Sequence, residues 1–439
     1  MKWKWSKYNF LFESEKFNCF FLFNTLSSGL YKLDKNDYKK FIQIKQNPNN
    51  NDIDEELKIQ LIQNKILTEN DKVEFLKLKL IKQIHRFDRT KLVITIAPTL
   101  HCNFNCSYCF EQSRPNIYMS DKTENDLIAF IKKHDFAKSI FITWFGGEPL
   151  LAFDRIRSLT TKIKDMNISF NADIVTNGFE FDQAKIYELK ELNINKVHIT
   201  IDGLEEMHNR RRPHIDNINC FAKIINNLDI LFNYKREHHS NLHIAIRVNI
   251  DKENGDEYQK IYKFLNDRYK NEEFIIYVGF VKLSYGSCKS TEDILFNNAE
   301  QADFVMEGYK THNIPNFYLL PEISMSECIA RNINGYLIDP EGYIYKCWTD
   351  IGNKEEYTGH IADESLTKID RLAKYLVGSD VFTDAKCQNC KYMPICGGGC
   401  PHHRIKNEFT DIKTDVCHIA KSNIEKYIEL YYEGEFLNK

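Results

Sequence analysis

Between residues 90 and about 285 the chain alternates short apolar runs with amphipathic stretches, and this rhythm constrains the fold more than any other feature. The runs are Leu92–Leu100, Ile140–Phe145, Ala172–Thr176, Val197–Ile201, His243–Asn249 and Phe274–Phe280. Each is rich in Val, Ile or Phe and bounded by turn residues, which predicts strands. Helical spacing fills the gaps, as in Glu124–Lys133, Ala184–Leu192 and Glu257–Tyr269. Strand then helix, repeated six times, implies a parallel sheet with right-handed crossovers. Six units are fewer than a closed eight-unit barrel needs. The expectation is an α/β fold, a partial (β/α)6 TIM-like barrel over residues 89–285. In such barrels chemistry gathers at the C-terminal strand ends, so unusual residues should follow strands.

The flanks read differently. Residues 1–88 open with the aromatic stretches Tyr8–Phe12 and Phe17–Phe23, a turn at Ser27-Ser28-Gly29, and a third run, Leu30–Leu33. Asp34 is placed to cap a helix through Tyr38 and Phe41. After the polar linker Gln46–Asp52, Leu57, Ile59, Leu61 and Ile62 predict another helix. The result is a small, mildly basic, winged-helix-like module, either a cap over a larger domain or a peptide-docking element. Residues 286–327 bridge to a last region, 328–439, dense in Cys and Gly. It is short on regular pattern and expected to depend on metal for its fold, with a closing helix over Asn423–Tyr432.

Apolar residues are 43% of the chain and charged residues 28%, a globular balance rather than a disordered one. A net charge of −3 gives no electrostatic reason to expect nucleic acid. No apolar run has bilayer-spanning length, and the start, Met1-Lys2-Trp3-Lys4, lacks a signal core. A soluble cytoplasmic protein with no membrane partner is expected. In that reducing compartment thirteen cysteines point to metal rather than disulfides.

Ten of the cysteines form two sets. The first follows the first barrel strand: Cys102, Cys106 and Cys109, spaced C-x3-C-x2-C with Tyr108 before the last. Three thiolates on one loop can hold three irons of a four-iron cluster and leave the fourth open. Zinc completed by His101 is the alternative. The loop resembles the signature of the radical S-adenosylmethionine (SAM) superfamily. In that family the open iron chelates SAM, and an electron from the cluster cleaves it to methionine and a hydrogen-abstracting 5′-deoxyadenosyl radical. Other strand ends resemble the family in order: Gly146-Gly147-Glu148-Pro149, Thr176-Asn177-Gly178, Thr200-Ile201-Asp202-Gly203 with His208 and Arg212 beyond, and Arg247-Val248-Asn249. The resemblance implies that Tyr108, Gly146, Gly147, Glu148, Thr176, Asn177, Thr200, Asp202, Arg212 and Asn249 surround SAM. Glu148 would meet its ammonium and Arg212 its carboxylate.

The second set reads C-x13-G-x4-C through Cys328, Gly342 and Cys347, then C-x2-C-x5-C-x3-C through Cys387, Cys390, Cys396 and Cys400, then Cys417. Its second half alone could be a zinc ribbon. Together the halves resemble the SPASM domain, which holds two auxiliary four-iron clusters in radical SAM enzymes. The resemblance implies an outer cluster on Cys387, Cys390, Cys396 and Cys417. Cys328, Cys347 and Cys400 would hold the inner one, completed by Cys288 or left open to a substrate thiolate. Cys19 and Cys220 read as buried apolar residues.

Enzymes with this pair of domains mostly modify peptides, and the first module resembles the leader-recognition element of ribosomal-peptide (RiPP) maturases. The implied partners are a precursor peptide with an N-terminal leader and a reductant such as flavodoxin or ferredoxin. The implied activity is a thioether or carbon–carbon cross-link, as in peptide cyclases. An anaerobic sulfatase maturase, making formylglycine, is the enzymatic alternative. That family places a catalytic Asp directly after the G-x4-C cysteine, where this chain has Trp348, with Asp350 two further on. A non-catalytic zinc protein that binds peptides is the alternative outside enzymes.

Overall fold

The computed structural model describes residues 2–50, 53–111, 114–282, 292–312, 314, 322–323, 328–364 and 368–437. Two compact units make up the chain, each assembled from segments distant in sequence. A barrel unit comprises Asp88–Phe296 and Ile329–Tyr375; a composite unit comprises Met1–Phe87, Asn297–Cys328 and Leu376–Lys439.

The barrel unit is built on β6 (Lys91–Ile96), β7 (Ser139–Trp144), β8 (Ser169–Thr176), β9 (Ile194–Thr200), β10 (His243–Ile250) and β11 (Ile275–Phe280). They pair in parallel in that order, the arrangement a partial barrel requires. The register aligns Ile94 with Ile142, Ile174 with Val197 and Ile199 with Ile246, and all six side chains are buried. β-Branched residues favour the extended backbone and fill the pleat. Helices such as Asp121–Lys132 and Glu257–Arg268 connect the strands, within a few residues of the spans read from periodicity. Glu124, fully buried, accepts from Arg155 and Ser158 and pairs with Lys162 at 2.7 Å.

The sheet continues beyond β6. β12 (Gly335–Ile338) pairs with it in parallel, and β13 (Tyr343–Tyr345) and β14 (Gly359–His360) follow antiparallel. This segment, read from sequence as short on regular pattern, therefore supplies a seventh parallel strand. Four residues are too few for an alternation to register. Gly335 also starts the strand where a Cβ would lie 2.5 Å from the Ile329 carbonyl oxygen.

In the composite unit β1 (Lys4–Trp5) pairs with β5 (Leu67–Thr68), and β2 (Asn9–Ser14), β3 (Cys19–Asn24) and β4 (Gly29–Leu33) form an antiparallel meander. Side chains alternate across the meander. Phe10, Phe12, Cys19, Phe21 and Phe23 pack against Ile395, Ile424 and Ile428. On the other face Leu22 and Leu33 pack with Phe41, Ile44 and Leu61 from the helices Lys35–Gln46 and Glu55–Gln63. Asp34 caps the first of these as expected, accepting from the Asn36 and Asp37 amides. A third helix, Asp71–Phe87, buries Glu74, Leu78, Lys82 and Arg86 while Val73, Leu76, Leu80, Ile84 and Phe87 are exposed. Arg86 is held inside by the Leu376 carbonyl at 3.1 Å and by Asp380 at 3.4 Å. Among the described residues no helix is long and apolar enough to cross a membrane.

Candidate functional site

The loop after β6 carries Cys102, Cys106 and Cys109, and backbone contacts fix its course. The Thr99 hydroxyl donates to the Ile117 carbonyl at 2.8 Å. The Asn105 amide donates to Pro213 O at 2.8 Å and the Ser107 amide to Arg211 O at 3.3 Å, which ties the loop to the segment beyond β9. Gly146 and Gly147 press against it from the end of β7. A Cβ at Gly146 would lie 2.4 Å from Thr99 O, and one at Gly147 2.3 Å from His101 O. Only glycine permits that approach, and Gly146 also has φ +111°.

Burial pushes all three thiols up, Cys109 to about 11, with neighbouring thiols and carboxyls adding to it. Free thiols there stay protonated, whereas a bound metal displaces the protons. Three such thiols on one loop suit iron–sulfur ligation. His101 Nδ1 has no hydrogen-bond partner among the described residues.

At the end of β7, Glu148 is 1% exposed. It accepts from Thr176 Oγ1 at 2.6 Å, the Asn177 amide at 2.7 Å and the Leu150 amide at 3.0 Å. Burial still raises its carboxyl to about 7, against the pull of those three donors. Asn177 Nδ2 reaches back to Asn103 Oδ1 at 2.8 Å, joining the end of β8 to the cysteine loop.

A second group centres on the Tyr108 hydroxyl. It donates to Asp202 and accepts from Arg212 at 2.7 Å and Asn249 Nδ2 at 3.1 Å. The Asn249 amide donates to the other Asp202 oxygen at 3.1 Å. Asp202 is fully buried, and burial raises its carboxyl despite Arg212 nearby. Arg212 Nε has no partner among the described residues, so a buried donor remains to be satisfied. Thr200 lies opposite Arg247 at the end of β9, and its hydroxyl takes no part in the Tyr108 group among the described residues.

Several contributors carried no sequence signal of their own. Arg211 is clamped by both Asp251 oxygens, at 3.0 and 2.8 Å. Asn254 donates to Asp202 O and Asn249 O, both at 2.9 Å. His208, already singled out with the strand-end resemblance, accepts through Nδ1 from the Asp202 amide at 3.3 Å, and burial holds that imidazole well below its usual pKa, hence neutral. Glu111, two residues after Cys109, is buried and pushed up to about 8, with Oε2 unpartnered among the described residues.

Residues 96–265, from the end of β6 through the strand ends just described, match the Radical SAM superfamily. The chain therefore carries a radical SAM domain. A radical SAM enzyme of this kind works with SAM and iron–sulfur clusters, and the buried thiols, the orphaned Arg212 donor and the Gly146–Gly147 cradle fit such cofactors. The cysteine-type anaerobic sulfatase-maturating enzyme of Clostridium novyi (strain NT) is 26% identical over 368 residues, 75% of this chain and 92% of the relative. Two solved structures share the fold. Native anSMEcpe with bound AdoMet and Cp18Cys peptide has TM-score 0.58 at 20% identity, covering 79% of this chain and 98% of its own. SuiB of Streptococcus suis bound to precursor peptide SuiA has TM-score 0.53 at 15% identity, covering 94% and 99%.

The remaining cysteines divide between the units: Cys347 lies in the barrel unit, and Cys328, Cys387, Cys390, Cys396, Cys400 and Cys417 in the composite unit. Cys288 lies outside the described residues. Within the composite unit Cys387 and Cys390 pack beside Val381, Phe382 and Met393. Gly397, Gly398 and Gly399 all have positive φ, and a Cβ at Gly399 would sit 2.0 Å from the Val416 carbonyl oxygen. These glycines let the chain after Cys396 run against the residue preceding Cys417. The N-terminal module grips the same segment: Lys7 donates to Gln388 O at 2.8 Å, and Thr25 to Lys391 O at 2.6 Å. In the barrel unit Trp348 stacks near Phe145 with ring centroids 4.4 Å apart, and its Nε1 donates to Thr95 at 3.2 Å. Asp350 is buried and accepts from the Tyr375 hydroxyl at 2.6 Å.

Proposed function

We propose that this enzyme matures a ribosomally made precursor peptide, installing a thioether or carbon–carbon cross-link at an unactivated carbon. When bound, SAM and the cluster on Cys102, Cys106 and Cys109 supply the agent that takes the substrate hydrogen. Closing the link releases one further proton and one electron, and a cluster on Cys387, Cys390, Cys396 and Cys417 would accept that electron. Glu148, Thr176 and Asn177 would hold the SAM amino group, and Tyr108, Asp202, Arg212 and Asn249 its carboxylate and ribose side.

The observation that carries this reading is the N-terminal module. Its meander leaves β2 and β4 each paired on one side only among the described residues, and the helix Asp71–Phe87 presents an apolar stripe between Lys72, Lys77 and His85. A strand edge offers main-chain bonds to an extended peptide, and apolar pockets give selectivity. SuiB, whose structure was solved with a precursor peptide, aligns over 94% of this chain, too much to omit the module.

Sulfatase maturation is the second reading, favoured by the identity with the Clostridium novyi relative. Against it, Trp348 occupies the position after Cys347, and Asp350 is engaged by Tyr375. Incubating the reduced holoenzyme with a precursor peptide, sought among short reading frames beside its gene, should give a product lighter by two hydrogens. Unchanged precursor, together with conversion of a sulfatase-derived cysteine peptide to formylglycine, would favour the second reading instead.

A further inference from the structure

Two of the thiols assigned above to the outer cluster already receive hydrogen bonds from cations. Arg404 donates to Cys387 Sγ at 3.2 Å, and Lys421 donates to Cys417 Sγ at 3.3 Å. Both distances suit N–H···S bonds to sulfur. Arg404 is fixed in place by its surroundings. Arg404 sits on the helix Pro401–Phe409, whose first turn is bonded to Cys400 O, and is only 9% exposed. Asp384 holds it with both terminal nitrogens, at 3.1 and 3.0 Å. The same carboxylate accepts from the Lys386 and Cys387 amides, so one side chain orders both the ligand and its donor. Lys421 lies one helical turn beyond Cys417, and its charge also acts on Cys390. Asp415 turns the chain into Cys417 by accepting from its amide at 2.9 Å.

Hydrogen bonds to ligand sulfur and local positive charge both stabilise the reduced state of an iron–sulfur cluster, because reduction places the added electron largely on iron and sulfur. We propose that Arg404 and Lys421 are positioning residues that raise the reduction potential of the cluster on Cys387, Cys390, Cys396 and Cys417, fitting it to receive electrons. This rests on the assignment of that cluster to these cysteines. The two cations touch ligand sulfur and not substrate, so their effect reaches the reaction through the cluster.

The test is a redox titration of reconstituted holoenzyme, followed by electron paramagnetic resonance, with iron counted in every sample. In Lys421→Gln and Arg404→Gln one cluster midpoint should move to a more negative potential while the iron count stays that of the parent. At fixed potential the reduced-to-oxidised ratio of that cluster should fall about tenfold, which is about 59 mV for a one-electron couple. Arg404→Lys should restore part of the shift. Lys421 is exposed, so its variant carries the test even if Arg404→Gln perturbs folding. Unmoved midpoints with iron retained overturn the inference and leave the cluster assignment standing. If Cys387→Ala and Cys417→Ala lose no iron, the assignment itself fails and the inference falls with it.

Discussion

The two thiol sets sit in opposite settings. On the barrel loop, Cys102, Cys106 and Cys109 are half-buried; burial raises all three thiols, with Glu148, Asp202 and Glu111 adding to it and Arg212 opposing it at Cys106. In the composite unit burial also raises the half-buried Cys387 and Cys417, but here the sulfurs accept hydrogen bonds from the cations Arg404 and Lys421, which oppose that shift. The first setting suits a site that must exclude water from a reactive cofactor; the second suits one that only passes charge. The scaffolds differ in the same sense. Around the first set is a parallel sheet with a continuous apolar interior. Around the second are four-residue helices and glycine turns, Ala385–Gln388 and Met393–Cys396 among them, with little apolar area to hold them.

Replacing Cys106 by Ala tests the contrast most severely. Production of 5′-deoxyadenosine under dithionite should be abolished, with about four irons lost per chain and the others retained. Continued SAM cleavage would remove any distinction between the sets. Iron removal should act in the reverse sense. Amide exchange over residues 376–437 should quicken by about a hundredfold or more while β6–β11 stay protected. Equal loosening of both would show that the barrel also leans on metal.

Glu124 offers a probe confined to the barrel unit. Burial alone would raise its carboxyl, but hydrogen bonds from Lys162, Ser158 and Arg155 prevail and hold it below the ordinary range. Its stabilisation is therefore complete at neutral pH and lost as pH falls through that lowered value. Glu124→Gln should cost about 3 kcal/mol in chemical denaturation, the low end for a buried pair because both cations are partly exposed. The cost should shrink on acidification. A smaller effect is expected at Asp202, where Asn keeps the shape but weakens the bonds from Tyr108 and Asn249. SAM affinity by calorimetry should drop about tenfold, or about 1.4 kcal/mol, and iron content should not change.

What could be read from sequence follows the physics of each region. The six barrel strands were legible because each is a short run rich in Val, Ile or Phe between turn residues, and the strand-end residues because the parallel fold sends chemistry to that end. β12 was not, since four residues carry no periodicity. The helix Asp71–Phe87 escaped because its apolar stripe faces solvent while Lys82 and Arg86 point inward; a partner for a buried arginine, here Asp380 from far along the chain, has no local signature. The same holds for Arg211 with Asp251, and for Arg404 on the Cys387 sulfur. Side chains that meet across sequence distance leave no spacing to read.

The pairing of β12 with β6 bears on how the molecule is made. Gly335 to Ile338 lie opposite Val93 to Ile96, so one flank of the strand leading into the cysteine loop stays unsealed until more than half the chain has followed it off the ribosome. Until then β6 presents bare amides and carbonyls to any passing strand. Assembly of this enzyme thus has a late closing stitch, and a nascent chain stalled before residue 335 should be the species most dependent on a chaperone.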